Sequence, residues 1–362
     1  MADKLRIGII GCGGIANGKH MPSLTALKKD VELVAFCDLV EEKTLKARKD
    51  YGTESSKIYS DYRKMLEDKS IDVVHVLTPN RSHADISIDA LGAGKHVMCE
   101  KPMAKTAADA RRMVAAARQS GKKLTIGYQH RHKPESIYLK QIIDRGDLGE
   151  IYYAKAFSVR RRGTPTWGVF LNEFEQGGGP LIDIGTHSLD LTLYLMDNYK
   201  PKMVVGTKYK KLTNPDCANP WGPWDEKRHT LEDAAFGFIV MENGATVTLE
   251  ATWSLNTIEP IQEGSCALHG TRAGAQCKNN EVSVNKDDLG RLISIYPDLK
   301  AKGAAFYEGI QETPSITEAQ RWIQAVKTGT DPLVLPEQAC VVSEILEAIY
   351  TSAEKGQPVY FK

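Results

Sequence analysis

Long apolar runs and a dominant charge are both missing from this sequence. No hydrophobic stretch approaches the roughly 18 residues that a membrane-spanning helix requires, and 47 lysines and arginines nearly balance 46 aspartates and glutamates. The near-neutral charge gives no reason to expect nucleic acid or a membrane surface as a partner. Residues Met1–Lys4 lead directly into a strand-like run. We therefore expect no signal peptide and a cytoplasmic location.

Cys-x-x-Cys pairs are absent as well, and the number of cysteines, 7, is odd. Neither observation fits a disulfide framework or a zinc site. We therefore expect reduced thiols and no metal. The cysteines concerned are Cys12, Cys37, Cys99, Cys217, Cys266, Cys277 and Cys340.

What the sequence does contain begins with a glycine-rich turn. The apolar run Leu5–Ile10 has the length of a strand, and the letters GCGGIA at 11–16 follow it, before a helical pattern. Gly11 permits a tight turn, and Gly13 lets the backbone approach a pyrophosphate at the N-terminus of the helix. The turn predicts a dinucleotide site. Its expected cofactor contacts are Gly11, Gly13, Gly14 and Ile15.

A carboxylate, Asp38, ends the next apolar run, Leu33–Cys37. At this place a carboxylate accepts hydrogen bonds from the ribose 2′-hydroxyl. It would repel a 2′-phosphate, and Leu39 and Val40 after it offer no cation. The sequence therefore predicts NAD, rather than NADP, as cofactor.

Short apolar strands alternate with helical patterns as far as residue 125, which predicts a parallel sheet covered by helices on both faces. Thr106 and Gly121 are expected to cap and to end the last helix. The predicted strands are Leu5–Ile10, Leu33–Cys37, Val73–Leu77, His96–Cys99 and Leu124–Gly127. The predicted helices are Lys19–Lys29, Glu41–Tyr51, Tyr62–Glu67, Ala84–Leu91 and Ala107–Gln119. Residues 1–125 are thus predicted to form a Rossmann dinucleotide-binding domain.

Beyond residue 125 the pattern changes to longer, partly alternating strands with fewer helices. The strands are expected at Ile151–Arg160, Met203–Tyr209, Ala234–Met241, Ala245–Trp253 and Ser265–His269, and the helices at Leu139–Asp144, Gly185–Met196, Thr317–Lys327 and Glu337–Glu354. Asn243-Gly244 signals a hairpin. Residues 126–362 are therefore predicted to form an α+β domain with a large, open, mostly antiparallel sheet. Its uncovered apolar face suits an oligomer interface. The loop Pro215–Trp224 either caps a pocket or anchors a subunit contact.

Two clusters directly follow predicted strands, where doubly wound sheets bind their ligands. In the first, Thr78, Asn80 and His83 are candidate cofactor contacts, although Ser82 could simply cap a helix together with Asp85.

The second cluster is Glu100-Lys101-Pro102. We expect Glu100 and Lys101 to contact the cofactor. The ammonium of Lys101 could also hydrogen-bond a substrate hydroxyl and lower its pKa. The alternative is a solvated Lys101 paired with Glu100.

A third cluster occupies residues 177–190, where three glycines and a proline precede a helical pattern. Asp183 and His187 are four residues apart and share one helix face. A carboxylate and an imidazole together can position a hydroxyl and remove its proton. The alternatives are an N-cap for Asp183 and a surface position for His187. No third ligand stands at a fitting spacing for a metal.

Four segments, taken in their order along the chain, resemble the Gfo/Idh/MocA family of nicotinamide-dependent sugar and inositol oxidoreductases. They are the glycine turn, Thr78–Asn80, Glu100–Pro102 and residues 178–187. The resemblance implies a Rossmann domain, an α/β domain whose open sheet supports a homo-oligomer of four or more subunits, and catalysis by Lys101, Asp183 and His187 at the substrate. It also implies an arginine near the cofactor or substrate in the segment 127–132. His130 and His132 belong to no motif.

Within the family, residues 160–168 resemble bacterial glycoside 3-dehydrogenases, including those that begin the breakdown of puerarin-type C-glycosides. This resemblance implies that Arg162 and Trp167 bind substrate together with Lys101, Asp183 and His187. It also implies NAD-dependent oxidation of a secondary hydroxyl, C3 of a glucosyl unit, as a step toward C- or O-glycoside cleavage. The alternatives are an inositol 2-dehydrogenase, an NAD-dependent glycosidase and a non-catalytic NAD sensor.

Overall fold

The computed structural model describes residues 4–213, 218–223, 229–299 and 313–361. These residues fall into two compact units, and residues 313–340 belong to the first unit together with residues 4–129. The second unit takes up the chain from His130 and ends with residues 341–361. The predicted division at residue 125 placed residues 313–340 in the second domain, whereas the structure groups them with the first unit.

The first unit is built on a six-stranded sheet in which all neighbouring pairs are parallel. The strand order is β3-β2-β1-β4-β5-β6, which is the predicted Rossmann arrangement. The strands are β1 (Leu5–Ile10), β2 (Val31–Cys37), β3 (Lys57–Tyr59), β4 (Val73–Val76), β5 (His96–Cys99) and β6 (Leu124–Ile126). The sequence prediction missed β3, because three partly exposed residues do not make an apolar run.

Helices connect these strands, much as predicted. A short helical turn, Ala16–His20, leads into α1 (Met21–Ala26). The next four helices are α2 (Glu41–Tyr51), α3 (Tyr62–Leu66), α4 (His83–Gly92) and α5 (Ala107–Ser120). The Thr106 hydroxyl accepts the Asp109 N–H at 3.1 Å, and Gly121 has a positive φ of 65°. Both predicted ends of α5 are therefore confirmed.

The second unit contains α6 (Pro134–Asp144), α7 (Glu173–Gln176) and α8 (Thr186–Met196), and a helical turn, Leu181–Gly185, precedes α8. The two C-terminal helices are α9 (Pro314–Thr328) and α10 (Pro336–Lys355). Ala319, Trp322 and Ile323 of α9 belong to the same buried apolar cluster as Ile7 and Leu24. This burial places α9 in the first unit, although it is distant in sequence.

The second unit carries a nine-stranded sheet in the order β14-β13-β12-β11-β7-β10-β9-β8-β15. The pair β7–β10 is parallel, and the other neighbouring pairs are antiparallel. The strands are β7 (Ile151–Val159), β8 (Pro201–Tyr209), β9 (Ala234–Met241), β10 (Thr246–Thr252), β11 (Ile261–Gly270), β12 (Ala273–Lys278), β13 (Glu281–Asp288), β14 (Arg291–Ile295) and β15 (Val359–Tyr360). The predicted open, mostly antiparallel sheet is confirmed. The sequence prediction missed β12 to β15, which are short or rich in polar residues.

One face of this sheet is covered and the other is open. Gly206 of β8 and Gly237 of β9 face Ile349 of α10 so closely that an added Cβ would lie within 2.5 and 2.6 Å of its atoms. Neighbouring residues point the other way, and Val205 and Phe238 there remain 37% and 43% exposed. The hairpin signal Asn243-Gly244 is confirmed between β9 and β10, with Gly244 at φ 88°.

Within the described residues, no helix has the length and apolar character needed to cross a membrane. The described cysteines are buried free thiols: Cys12, Cys37, Cys99, Cys266, Cys277 and Cys340. Burial raises the pKa of both Cys12 and Cys37 to about 12, so neither is a reactive thiolate near neutral pH. Cys217 lies outside the described residues.

Candidate active site

The three segments predicted to bind the cofactor lie along one edge of the first sheet. Strands β1, β4 and β5 are neighbours and run parallel. The Leu77 N–H donates to the Ile10 carbonyl at 2.8 Å, and the Glu100 N–H donates to the Val76 carbonyl at 3.0 Å. The carboxyl ends of the three strands therefore meet, and with them the glycine turn, Thr78–Asn80 and Glu100–Lys101.

The glycine turn has the geometry that its sequence predicts. Gly11 has a φ of 91°, and a Cβ there would lie 2.5 Å from the Leu77 carbonyl oxygen. A Cβ added to Gly13 or to Gly14 would have no neighbouring atom of the described residues within 4 Å. Ile15 is 43% exposed. The backbone of this turn is thus open on one side, which fits a pyrophosphate bound against it.

A further residue, Asn17, fixes the turn. Its side-chain amide donates to the carbonyls of Cys12 at 2.9 Å and Gly13 at 2.8 Å. This contact was not predictable from the sequence, since an asparagine at that place is equally compatible with an ordinary helix surface.

Asp38 is held in place at the end of β2. Its carboxylate accepts the Cys12 N–H at 2.9 Å and the Val40 N–H at 3.0 Å, so it also fixes the glycine turn. Leu39 and Val40 after it offer no cation, but a lysine further along the chain does lie near the carboxylate. Lys43, one turn into α2, brings its Nζ to 4.0 Å from Asp38 Oδ1. The preference for NAD then depends on the carboxylate alone.

We expect NAD to bind at least about tenfold more tightly than NADP, which corresponds to roughly 1.4 kcal/mol. Asp38→Asn should narrow this difference, because its amide oxygen can still accept the Cys12 N–H but no longer repels a 2′-phosphate. Calorimetric titration of both cofactors measures the ratio. Lys43→Met is the matched control and should leave NAD the preferred cofactor. Equal affinities in the unmodified protein would refute the prediction.

His83 connects two of the cofactor segments. Its Nδ1 lies 2.8 Å from the Pro102 carbonyl oxygen, and its Nε2 lies 2.8 Å from the Thr78 carbonyl oxygen. Burial lowers the pKa of this imidazole, although both carbonyls oppose the shift. Ser82 makes no side-chain cap to α4, and its hydroxyl instead bonds Thr78 Oγ1 and the Pro79 carbonyl. The capping alternative was therefore wrong. The cofactor contacts of Thr78, Asn80 and His83 stay predictions.

Glu100 is the centre of a buried charge network. Oε1 accepts a hydrogen bond from Lys19 Nζ at 2.8 Å and lies 2.8 Å from His20 Nε2, while Lys19 also reaches Glu318 at 2.8 Å. Burial opposes ionisation of Glu100, but Lys19 and His20 hold its pKa well below the usual value. Its Oε2 accepts the Lys101 N–H at 3.0 Å. The network thus anchors the backbone from which the proposed catalytic Lys101 projects.

In the second unit, a buried carboxylate holds the glycine-rich entry to α8. Glu232 accepts the Gly179 N–H at 2.9 Å and the Tyr350 hydroxyl at 2.7 Å. A Cβ on Gly178 would lie 2.1 Å from the Tyr350 hydroxyl oxygen, and one on Gly179 would lie 2.4 Å from the Glu232 carbonyl oxygen. Burial raises the pKa of Glu232. Close packing therefore explains why this entry consists of glycine.

Asp183 lies within the helical turn before α8, and the N-cap of α8 is Gly185. The capping alternative for Asp183 was therefore wrong. The indole N–H of Trp253, a fully buried side chain, donates to Asp183 Oδ2 at 3.0 Å. The sequence prediction overlooked Trp253, because it lies in a different part of the chain and belongs to no motif.

His187 lies in the first turn of α8 and is buried, so the surface alternative was wrong. Its ring centroid is 4.7 Å from that of His130, and the ring planes meet at 66°. Asp183 and His187 both belong to this one helical stretch, as their spacing predicts. Their catalytic roles stay predictions.

Arg131, the arginine of the segment 127–132, is fully buried and bound by Asp190. Its Nε and Nη2 donate to the two carboxylate oxygens at 2.9 and 2.6 Å. Burial opposes the charge of Arg131, but Asp190 raises the pKa of the guanidinium above its usual value. In the second unit this arginine therefore joins the chain near His130 to α8.

The segment 160–168 presents aromatic surface. Trp167 is 52% exposed and packs edge to face against Phe170 and Trp221. Arg160 lies over the Trp221 ring, 5.0 Å from its centroid. Arg162 donates to the Asn256 side chain at 2.6 Å. Trp167 is thus accessible to a ligand and Arg162 is anchored by its neighbours, while Trp224 lies outside the described residues.

The doubly wound parallel sheet, the glycine turn after β1 and the carboxylate after β2 together define a dinucleotide-binding protein of the Rossmann class. Residues 5–128 match the description "Oxidoreductase family, NAD-binding Rossmann fold", and residues 140–361 match "Oxidoreductase family, C-terminal alpha/beta domain". The chain belongs to the Gfo/Idh/MocA family, and its cofactor is NAD.

Several known proteins are similar along nearly the whole chain. A D-glucoside 3-dehydrogenase of Escherichia coli (strain K12) is 34% identical over 98% of this chain and 97% of its own. The scyllo-inositol 2-dehydrogenase (NAD(+)) of Bacillus subtilis (strain 168) is 24% identical over 99% and 97%. A solved structure of levoglucosan dehydrogenase in complex with NADH superposes with a TM-score of 0.82 at 24% identity, covering 99% of this chain and 100% of that one. This last likeness shows the fold.

Proposed function

We propose that this protein oxidises the 3-hydroxyl of the glucosyl unit of a β-glucoside to a ketone, with NAD as oxidant. The observation that carries the proposal is the pair Asp183 and His187 on one helical stretch, with Asp183 oriented by the indole of Trp253. The relative from Escherichia coli, whose name specifies C3 of a D-glucoside, supports the position of oxidation.

Bound NAD supplies the hydride acceptor, and the protein supplies geometry and electrostatics. In our proposal Trp253 holds one oxygen of Asp183, so that the carboxylate is pre-oriented to accept a hydrogen bond from a substrate hydroxyl. His187 takes the proton of the hydroxyl that is oxidised. Such base catalysis typically contributes about 10²–10⁴ in rate. The ammonium of Lys101, whose backbone N–H is held by Glu100, stabilises the negative charge that develops on the substrate.

We assign Arg162 and Trp167 to substrate binding. An exposed aromatic face beside anchored polar groups suits a ring that is apolar on its faces and polar at its edge, as a sugar is. The mutual packing of Trp167 and Trp221 keeps this surface rigid, which lowers the entropy cost of binding.

Isotope labelling tests the position of oxidation. With a glucoside carrying deuterium at C3, the label should appear in NADH, or in re-reduced product if the cofactor stays bound. Deuterium at C2 should not reach the cofactor. Transfer from C1 or C2 would show that the proposed position is wrong, while membership of the family would stand.

An inositol 2-dehydrogenase is the second candidate, favoured by the similarity to the enzyme of Bacillus subtilis. It would use the same catalytic residues and differ in the loops that line the substrate pocket. A panel of glucosides and inositols, followed by NADH absorbance and mass spectrometry, separates the two. Cleaved glycoside without net NADH would instead identify a glycosidase that uses NAD transiently.

We also propose that the protein is a cytoplasmic homo-oligomer, a tetramer or larger, joined through the open face of the nine-stranded sheet. The exposed apolar residues Val205 and Phe238 on that face support this. Light scattering at micromolar concentration should give a mass of at least four subunits. Phe238→Lys should lower the mass, whereas Leu45→Lys, at an exposed position of α2 in the first unit, serves as the control. A monomer in the unmodified protein would refute the proposal.

A further inference from the structure

Three side chains of the second unit form a group that no sequence motif indicated: His130, His187 and Glu263. One potential ligand atom from each lies within 4.8 Å of the others. Both imidazoles are buried, and the carboxylate is partly exposed. We propose that this group, the His130 cluster, binds a divalent transition metal such as zinc, with each residue supplying one ligand atom.

Hydrogen bonds from α8 bring the three residues together. Asp190, one turn after His187, binds Arg131 through both carboxylate oxygens and so fixes the chain beside His130. On the other side, the hydroxyl of Ser188, next to His187, accepts the Gly264 N–H at 3.0 Å. This hydrogen bond holds the part of β11 that contains Glu263 next to α8. Hydrogen bonds to α8 therefore hold the segments on both sides of the cluster.

Gly264 makes room for the His130 ring. It has a φ of 73°, and an added Cβ would lie 2.0 Å from His130 Nδ1 and 2.5 Å from two neighbouring ring atoms. Any other residue would displace the imidazole from its place beside His187. The backbone next to Glu263 is thus shaped around His130.

The ligand types fit a borderline-soft metal. Two imidazoles and one carboxylate make up a donor set used by zinc and by other first-row divalent ions, with a further coordination position left for water. Zinc binds such ligands at about 2.0–2.2 Å, and three ligand atoms within 4.8 Å of one another are close enough to converge on one ion. Glu263 also forms an ion pair with Arg160, whose Nη2 lies 3.0 Å from Glu263 Oε2. A carboxylate has two oxygens and can serve both cations.

Metal binding and the proposed role of His187 exclude each other, and this part of the inference rests on the proposed function. When one imidazole nitrogen binds a metal, the other nitrogen of the neutral ring carries its proton. The ring then cannot accept the proton of a substrate hydroxyl. Zinc at the His130 cluster should therefore inhibit oxidation.

Calorimetric titration of the full-length protein with zinc chloride, after treatment with a chelator and its removal, tests the site. We expect one saturable equivalent per chain. Glu263→Gln should weaken binding by at least about tenfold, since the loss of a ligand should cost no less than the loss of an outer-shell partner, roughly 10–100-fold. Glu259→Gln is the matched control. It removes a carboxylate of the same unit that pairs with Lys278 and is 77% exposed.

Cobalt(II) absorption spectra give a second readout, because the visible bands report the ligands directly. They should change in Glu263→Gln and in His130→Gln but persist in the control. The absence of saturable binding, or equal affinity in all variants, would overturn the proposal. Inhibition by zinc should follow the same titration curve as binding. Binding at the cluster without inhibition would leave the metal site intact and count against His187 as the base.

Discussion

Lys101→Ala should reduce turnover by about 10²-fold or more and leave NAD affinity within a few-fold of the original. The reason is that an ammonium which stabilises developing charge acts in the transition state, and its loss therefore lowers kcat. The backbone at Lys101 is anchored through its N–H to Glu100, and this bond does not depend on the side chain. Steady-state kinetics with saturating glucoside and calorimetry with NAD measure the two quantities separately.

Lys105→Ala is the matched control for this experiment, since it removes a lysine from the same segment and should change turnover only a few-fold. Lys101→Met keeps most of the side-chain length and removes the charge, and we expect it to be as impaired as the alanine variant. Near-normal turnover in Lys101→Met would assign Lys101 a purely structural role. A parallel loss of NAD affinity would assign it to cofactor binding.

His187→Ala should lower kcat by about 10²–10⁴-fold, the range expected for loss of a general base. The variant leaves space in a buried pocket beside His130. Imidazole added to the assay should therefore restore part of the activity, which a merely structural defect would not permit. The assay should contain a chelator, so that metal at the His130 cluster does not affect the comparison.

His269→Ala provides the control for His187, because this imidazole belongs to the same unit, stacks on Tyr153 and has no proposed catalytic role. It should remain within a few-fold of the original activity. Unchanged kcat in His187→Ala would show that another group removes the proton. A loss that imidazole does not restore, with a changed unfolding curve, would indicate damage to the fold.

Features that depend on residues close to one another in the sequence were predictable. The glycine turn, Asp38 at the end of β2 and the ends of α5 were all correctly placed, because each depends on backbone chemistry within a few residues. The spacing of Asp183 and His187 likewise put them on one helical stretch. The missed strand β3 shows the limit of this reasoning, since three partly buried residues produce no periodic pattern.

The supports of the candidate site were not predictable. Trp253 orients Asp183, Glu232 holds Gly179, and Lys19, which also pairs with Glu318, neutralises Glu100. Each of these contacts joins residues that are far apart in the chain and carry no shared pattern. Buried polar groups need partners, but the sequence does not say which ones.

The sequence by itself determined the class of the first unit and the cofactor and indicated candidates for the reactive residues, because glycine conformations, strand ends and helix spacing are local properties of the chain. Only the tertiary structure decided that α9 packs against the first sheet and that His130, His187 and Glu263 face one another. The physical reason is that burial and side-chain packing act between distant segments. Their outcome depends on how the whole chain folds, and it cannot be predicted from any single segment.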